Sequence, residues 1–521
     1  MLMSDVTLRE SDSPKKLLFL KPTKWVVNLL LVLFLLAGFA VRFIDFNDLP
    51  LDFAATRQLH SFIMARGIYY QMDTPDTLAM AQDLRGYGIN TGNAESRIEP
   101  PIMEYLAAFT YRLIGQEKIL VPRLLSMLFW VLGGIPLFLL ARKLMNINGA
   151  FAALAVYLFI PFGVLASRSF QPDPLMVMTI LWALYFQLRW SDNSTMKNAV
   201  LAGAFTGIAL FVKAPSAFFV GFSFAGLILS KGFKNWIKNP QIYLMAALAL
   251  LPAILFNAIS ATIGGNAYSI FGTRFFPQYF IDPKWYSNWL QIAKSVTGYF
   301  PLVLGVLAIF LIKVKQNRVF YFCLWVGYIL YGFTFAYHIY THNYYHLPLI
   351  PTISLGLGFF FAVIFEKIEA SNLNWVSRTF VILILLFSIG LCVQVTRGNL
   401  IAKDYRHEAK YWTDLGASIG GNASVIALTH DNGYRISYWG YVNPKLWPTA
   451  GDRTIKSLVG ATDPAFQQMF KELALGKDYF LVTLNGELES QPDLRDHLFA
   501  TYPYQQGDGY FLFDLRQTIS Q

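Results

Sequence analysis

Long apolar runs alternate with short polar connections up to about residue 395, and then the pattern changes. A membrane-crossing helix needs roughly 20 mostly apolar residues, and about eleven runs have that character. They lie at residues 25–43, 120–140, 149–166, 175–188 and 199–212, then in a sixth run ending at Lys231, then at 242–259. The eighth ends at Lys313, the ninth at His338, and the last two are residues 347–365 and 378–395. Two connections are long. Residues 44–119 are too polar to cross a bilayer and too long for a simple link. Within them, 102–114 is apolar and aromatic, the pattern of a helix lying along a membrane surface. A second long connection covers about 260–288 and is rich in aromatics.

From about residue 397 the apolar runs shorten, and Gly, Asp and Lys become frequent. Residues 425–428, 479–482 and 510–513 read as short buried strands, and 404–419 and 464–475 as helices. The expected architecture is an all-α polytopic membrane bundle, a large outer loop of surface helices, and a small C-terminal α/β soluble domain. The expected divisions are a cytoplasmic N-terminus at 1–24, a transmembrane domain at 25–396 and the α/β domain at 397–521.

Composition agrees with this picture. Of 521 residues, 55% are hydrophobic and 14% charged, against about a quarter charged in soluble proteins. Mean hydropathy is +0.42. The net charge of +10 reflects the Lys and Arg of cytoplasmic loops rather than a nucleic-acid partner. Lys15, Lys16, Lys21 and Lys24 precede the first run and place the N-terminus in the cytoplasm. No small-residue cleavage site follows that run, so it is expected to stay as a membrane helix. Cys323 and Cys392 lie inside apolar runs and read as buried thiols. With this orientation, every inward end carries Lys or Arg, as at Arg142-Lys143 and Lys367. The unusual polar residues all fall on the outer side: Asp52, Glu99, Asp173, Lys213, Arg274, His342 and His346. Ionisable groups at a membrane edge are costly, so one face that collects them is a candidate site.

Each has an ordinary structural alternative. Asp52 begins a predicted helix, where it could accept a proton from an attacking hydroxyl or serve as an N-cap. Asp173 lies between two prolines and has the pattern of a helix start. Lys213 precedes Ala214-Pro215; it reads as a phosphate-binding ammonium or as a snorkelling lysine. Residues 341–351 gather His342, Tyr344, Tyr345 and His346 with two prolines. That cluster reads as a phosphate contact, an aromatic belt or, through His342 and His346, a metal pair. His346 and Asp173 are the candidates if a divalent metal is bound. Glu99 opens a stiff Glu-Pro-Pro stretch.

At these residues the chain resembles the C-type (GT-C) membrane glycosyltransferases of the protein mannosyltransferase and aminoarabinose transferase group. The likeness covers about residues 25–365. It rests on a fixed order: a first span, a long outer loop opening with an acid, and a Pro-Pro surface helix ending in Gly. Asp-Pro follows span three, Lys-X-Pro follows span five, and a His/Tyr-Tyr-Leu-Pro motif precedes span ten. The resemblance implies that Asp52 is the catalytic base or acceptor-positioning carboxylate, and that Asp173 is the second outer acid. It implies that Lys213 meets a lipid phosphate, and that His342 and Tyr345 belong to the late outer motif. Arg57 and Glu99 are further candidates for positioning donor or acceptor, and Arg274 for holding phosphate. The chain departs from the family pattern at Phe53, where many members have Glu, and at Glu99, where many have Lys or His.

The implied function is inverting transfer of a sugar from a polyprenyl-phosphate donor to a hydroxyl on a lipid, glycan or protein acceptor. No cofactor is required; a divalent metal is compatible with the site. The expected home is the bacterial inner membrane, with the site and the C-terminal domain outside. The alternatives are a flippase for lipid-linked sugars and a non-catalytic scaffold. A transporter usually places polar groups near the midplane of repeated halves, and this chain shows no internal repeat.

Overall fold

The computed structural model describes residues 22–232, 238–262, 274–371 and 374–519. All eleven apolar runs are helical. Five helices are long and apolar enough to cross a membrane: Lys24–Val41, Leu120–Leu144, Pro240–Ile259, Leu349–Ala370 and Trp375–Leu400. A sixth span is formed if Pro283–Thr297 and Tyr299–Leu311, bent by 98° at their junction, count as one. Ile147–Phe159, Met196–Val212 and Ser216–Lys231 are apolar but shorter. They fall below the roughly 20 residues that match the hydrocarbon thickness. This is a multi-pass membrane protein.

The chain divides into two compact units. The first runs to Phe46, adds Arg97–Ile102, and continues over Arg123–Ala402. Three arginines hold its chain where the first helix ends. Arg42 donates to Ser167 Oγ at 2.7 Å and to the Leu158 carbonyl at 3.2 Å. Arg168 donates to the carbonyls of Ile44 and Asp45, and Arg123 to that of Phe46. The carbonyls of the segment that follows the first helix are thus satisfied by guanidinium donors.

The second unit joins Asn47–Ser96 and Met103–Pro122 to the tail from Lys403. Asp48 is one of its stitches: Oδ1 accepts from the Tyr405 amide at 2.9 Å. The tail holds a five-stranded sheet of order β2-β1-β3-β5-β4. Its strands are β1 Val425–Leu428, β2 Lys445–Leu446, β3 Tyr479–Val482, β4 Tyr504–Gly507 and β5 Tyr510–Asp514. β1 runs parallel to β2 and β3, and β5 antiparallel to β3 and β4. Ile426, Leu428, Trp447, Phe470, Phe480 and Phe513 form the core beneath it. The predicted tail strands are present; β2 and β4 are additions. The helix Ile102–Ile114 buries Met103, Ala107, Ala108 and Tyr111. It exposes Tyr105, Phe109 and Leu113, the apolar outer face its pattern predicts.

Within this unit, the helices Ala55–Tyr70 and Gln82–Ala94 cross at two glycines. A Cβ on Gly67 would stand 2.7 Å from the Gly92 Cα, and one on Gly92 would stand 2.7 Å from the Gly67 Cα. Backbone atoms cannot move aside as a flexible side-chain end can. Gly67→Val is expected to lower stability by about 1–3 kcal/mol through overpacking. Thermal unfolding in detergent checks this, and a wild-type midpoint would show that the crossing is looser than described.

Candidate functional site

Asp173 is the first residue of the helix Asp173–Asp192, whose N-cap position is held by Pro172. Its side chain meets Lys213, the residue that ends the helix Met196–Val212. The Lys213 ammonium donates to both carboxylate oxygens, at 2.8 and 3.0 Å. Asp173 is 1% exposed and Lys213 6%. The cap and snorkelling alternatives therefore give way to a buried ion pair. Glu99 Oε1 is 3.9 Å from the same ammonium, close enough to attract but beyond hydrogen-bond length. An ammonium has three donors, so Lys213 retains capacity for another acceptor.

The aromatic cluster before the helix Leu349–Ala370 closes around this pair. The Tyr344 and Tyr345 rings lie 5.7 and 5.6 Å from the Lys213 nitrogen, within cation–π range. His338 lies 4.9 Å from Tyr345 and 5.3 Å from His342, ring to ring. Arg274 stands 5.7 Å over Phe335, which itself packs 6.0 Å from Tyr345. The pKa of His342 is lowered by burial and then by Arg274. Lys213 and Arg274 bring the basic side chains to this cluster. His338 Nδ1 is buried without a hydrogen-bond partner among the described residues. That residue joins the site beyond those singled out from the sequence; the spacing of His338, His342 and His346 by four was the available signal.

His346 has a different job. Its Nε2 donates to the Ile339 carbonyl at 2.7 Å, and its Nδ1 pairs with the Tyr328 hydroxyl at 2.8 Å. Both nitrogens are engaged, so the metal reading of His346 is replaced by a structural one. Among the described residues, no group of three or more His, Cys, Asp or Glu side chains is arranged for a metal ion.

Asp52 and Arg57 belong to the second unit. Asp52 is half-buried on the turn before Ala55–Tyr70. The N-cap of that helix is Ala54, in the left-handed region at φ +45°. The N-cap reading of Asp52 is therefore displaced by two residues. Arg57 Nη1 contacts His60 Nδ1 at 2.9 Å. Gln58 donates to the carbonyls of Pro50 and Phe53 and so clamps the turn that carries Asp52.

Solved structures with the same architecture include ArnT from Cupriavidus metallidurans. In its apo state it shares 14% identity, with 94% of this chain and 98% of that one covered and a TM-score of 0.57. Bound to undecaprenyl phosphate, it shares 12% identity over the same shares, with a TM-score of 0.59. The oligosaccharyltransferase AglB from Archaeoglobus fulgidus, in complex with an inhibitory peptide and a dolichol-phosphate, shares 12% identity. There 94% of this chain and 74% of that one are covered, with a TM-score of 0.54. The chain shares the fold of these two membrane glycosyltransferases. Residues 98–257, which include Glu99, Asp173 and Lys213, match the family model described as dolichyl-phosphate-mannose-protein mannosyltransferase. No curated protein matches the sequence.

Proposed function

We propose that this protein transfers a sugar from a polyprenyl-phosphate carrier to a hydroxyl acceptor, with inversion at the anomeric carbon. The observation that carries the reading is the buried Lys213–Asp173 pair beside Tyr344 and Tyr345. Asp173 fixes the ammonium, and its remaining donor takes a phosphate oxygen. Arg274 adds a second cation. The acceptor hydroxyl gives its proton to Asp52, and its oxygen attacks the anomeric carbon. The bond from that carbon to the phosphate oxygen breaks, and the electron pair leaves with polyprenyl phosphate. Lys213 and Arg274 meet the negative charge that the leaving group gains. Lys213 and Arg274 supply positive charge of the kind a divalent metal would bring.

The reading assigns the chemistry to the face opposite the Lys- and Arg-rich loops, the outer face of a bacterial inner membrane. The second unit supports the topology. The loop after the first span and the tail after the last share one unit, so an even number of crossings separates them. The test uses membranes containing the protein, polyprenyl-phosphate sugars extracted from the native host, and an acceptor extract. Release of free polyprenyl phosphate is expected. Movement of the lipid-linked sugar across the bilayer without release would instead identify a flippase.

A further inference from the structure

We propose that Asp431 is a positioning residue for the transfer reaction, acting through Thr56 to set the turn that presents Asp52. This rests on the role given to Asp52 above. The helix Ala55–Tyr70 starts at Ala54, which has no side chain able to cap it. Ala54 also holds a left-handed conformation that residues with a Cβ rarely adopt. Such a backbone persists only where its surroundings impose it. Asp52 lies two residues away, so its direction depends on that conformation being kept.

This uncapped start is held instead by a side-chain contact from the far end of the chain. The Thr56 hydroxyl, in the first turn of the helix, donates to Asp431 Oδ1 at 2.8 Å. A carboxylate at a helix N-terminus also meets the positive end of the helix dipole. Asp431 itself is aimed by an elbow at the C-terminal end of β1. Asp431, Asn432 and Gly433 are three consecutive residues at positive φ, at 50°, 54° and 77°. Its other oxygen takes Arg435 Nε at 2.5 Å. Arg435 is braced in turn by Glu408 at 3.0 Å, and Glu408 by the Trp412 indole at 2.6 Å.

The helix after the elbow, Tyr434–Gly440, continues the contact along Ala55–Tyr70. Tyr434 donates to Glu95 Oε2 at 2.9 Å, the oxygen that lies 3.4 Å from His60 Nε2. Further on, Arg66 donates to the Tyr438 carbonyl at 2.6 Å and covers the Tyr438 ring at 3.8 Å. Residues 56, 60 and 66 of one helix thus meet 431, 434 and 438 of the other segment in order. The elbow grips the end of the helix nearest Asp52, which gives the α/β tail a part in the chemistry.

The test compares Thr56→Val, which keeps shape and loses the hydroxyl, with Thr56→Ser, which keeps the hydroxyl. The full chain in detergent is followed by hydrogen–deuterium exchange and by release of polyprenyl phosphate from the native lipid extract. Thr56→Val should exchange faster over residues 50–58 only. Its kcat should fall roughly 10- to 100-fold with donor KM unchanged, the size of effect expected from a small misplacement. Thr56→Ser should match wild type in both. Wild-type exchange and turnover in Thr56→Val, faster exchange throughout the chain, or a serine variant as impaired as the valine variant would overturn the proposal. Absence of release from the wild type would fail the transferase reading alone, and the exchange measurement would still decide whether Asp431 sets the turn.

Discussion

Lys213→Met is expected to lose both stability and transfer, for separable reasons. Methionine fills a similar volume but leaves the Asp173 carboxylate buried without its cation. Breaking a buried pair by removing one partner costs about 3–5 kcal/mol, because the remaining charge is uncompensated. Glu99, 3.9 Å from the ammonium, adds a second negative group that loses its counter-charge. Transfer should fall about 10²- to 10³-fold, the loss seen when one preorganised donor to a developing anion is removed. The double variant Lys213→Met/Asp173→Leu removes the stranded charge and restores apolar packing. It should recover most of the unfolding temperature in detergent and none of the transfer. Recovery of both would make the pair a structural strut and leave phosphate binding to Arg274. Asp173→Asn alone should be milder, since Lys213 keeps Glu99 nearby.

The parts legible in the sequence were those with local signals. Apolar runs became helices because length and pattern act within one segment. Asp173 and Lys213 could each be singled out as ionisable groups at a membrane edge. Their pairing could not be read, because it depends on how two helix ends 40 residues apart are brought together. For the same reason capping and snorkelling were fair expectations for each residue alone. His346 shows the reverse error. Its spacing from His342 suggested a ligand pair, while Tyr328 and Ile339, which take both its nitrogens, lie outside that motif. The tail strands with apolar residues were visible. β2 has two residues and β4 reads Tyr-Gln-Gln-Gly, so neither carries an alternating signal. The union of the first loop with the tail was hidden most completely. Its stitches join residues more than 300 positions apart, as between Asp48 and Tyr405 or Thr56 and Asp431. A string such as His-Asp-Asn-Gly announces a turn but not what the turn will hold.

Asp52→Asn should abolish turnover while leaving the donor bound and the protein folded. Asparagine keeps the size and the hydrogen-bonding reach of the side chain and cannot accept the acceptor's proton. Loss of a positioned base typically lowers the rate by about 10²- to 10⁴-fold. Stability should hold because the turn is clamped through backbone carbonyls. Gln58 reaches Pro50 and Phe53 at 3.1 and 2.5 Å, and Asp431 anchors Thr56. Donor affinity should hold because the cations assigned to the phosphate, Lys213 and Arg274, are untouched. The measurement is single-turnover release of polyprenyl phosphate alongside equilibrium binding of the extracted donor. A fall in kcat with unchanged donor binding assigns proton acceptance to Asp52. A rise in donor KM with kcat unchanged would move Asp52 to ground-state binding. Turnover at the wild-type rate would remove it from the mechanism and pass the base to another carboxylate, with Glu99, beside Lys213, the next to test.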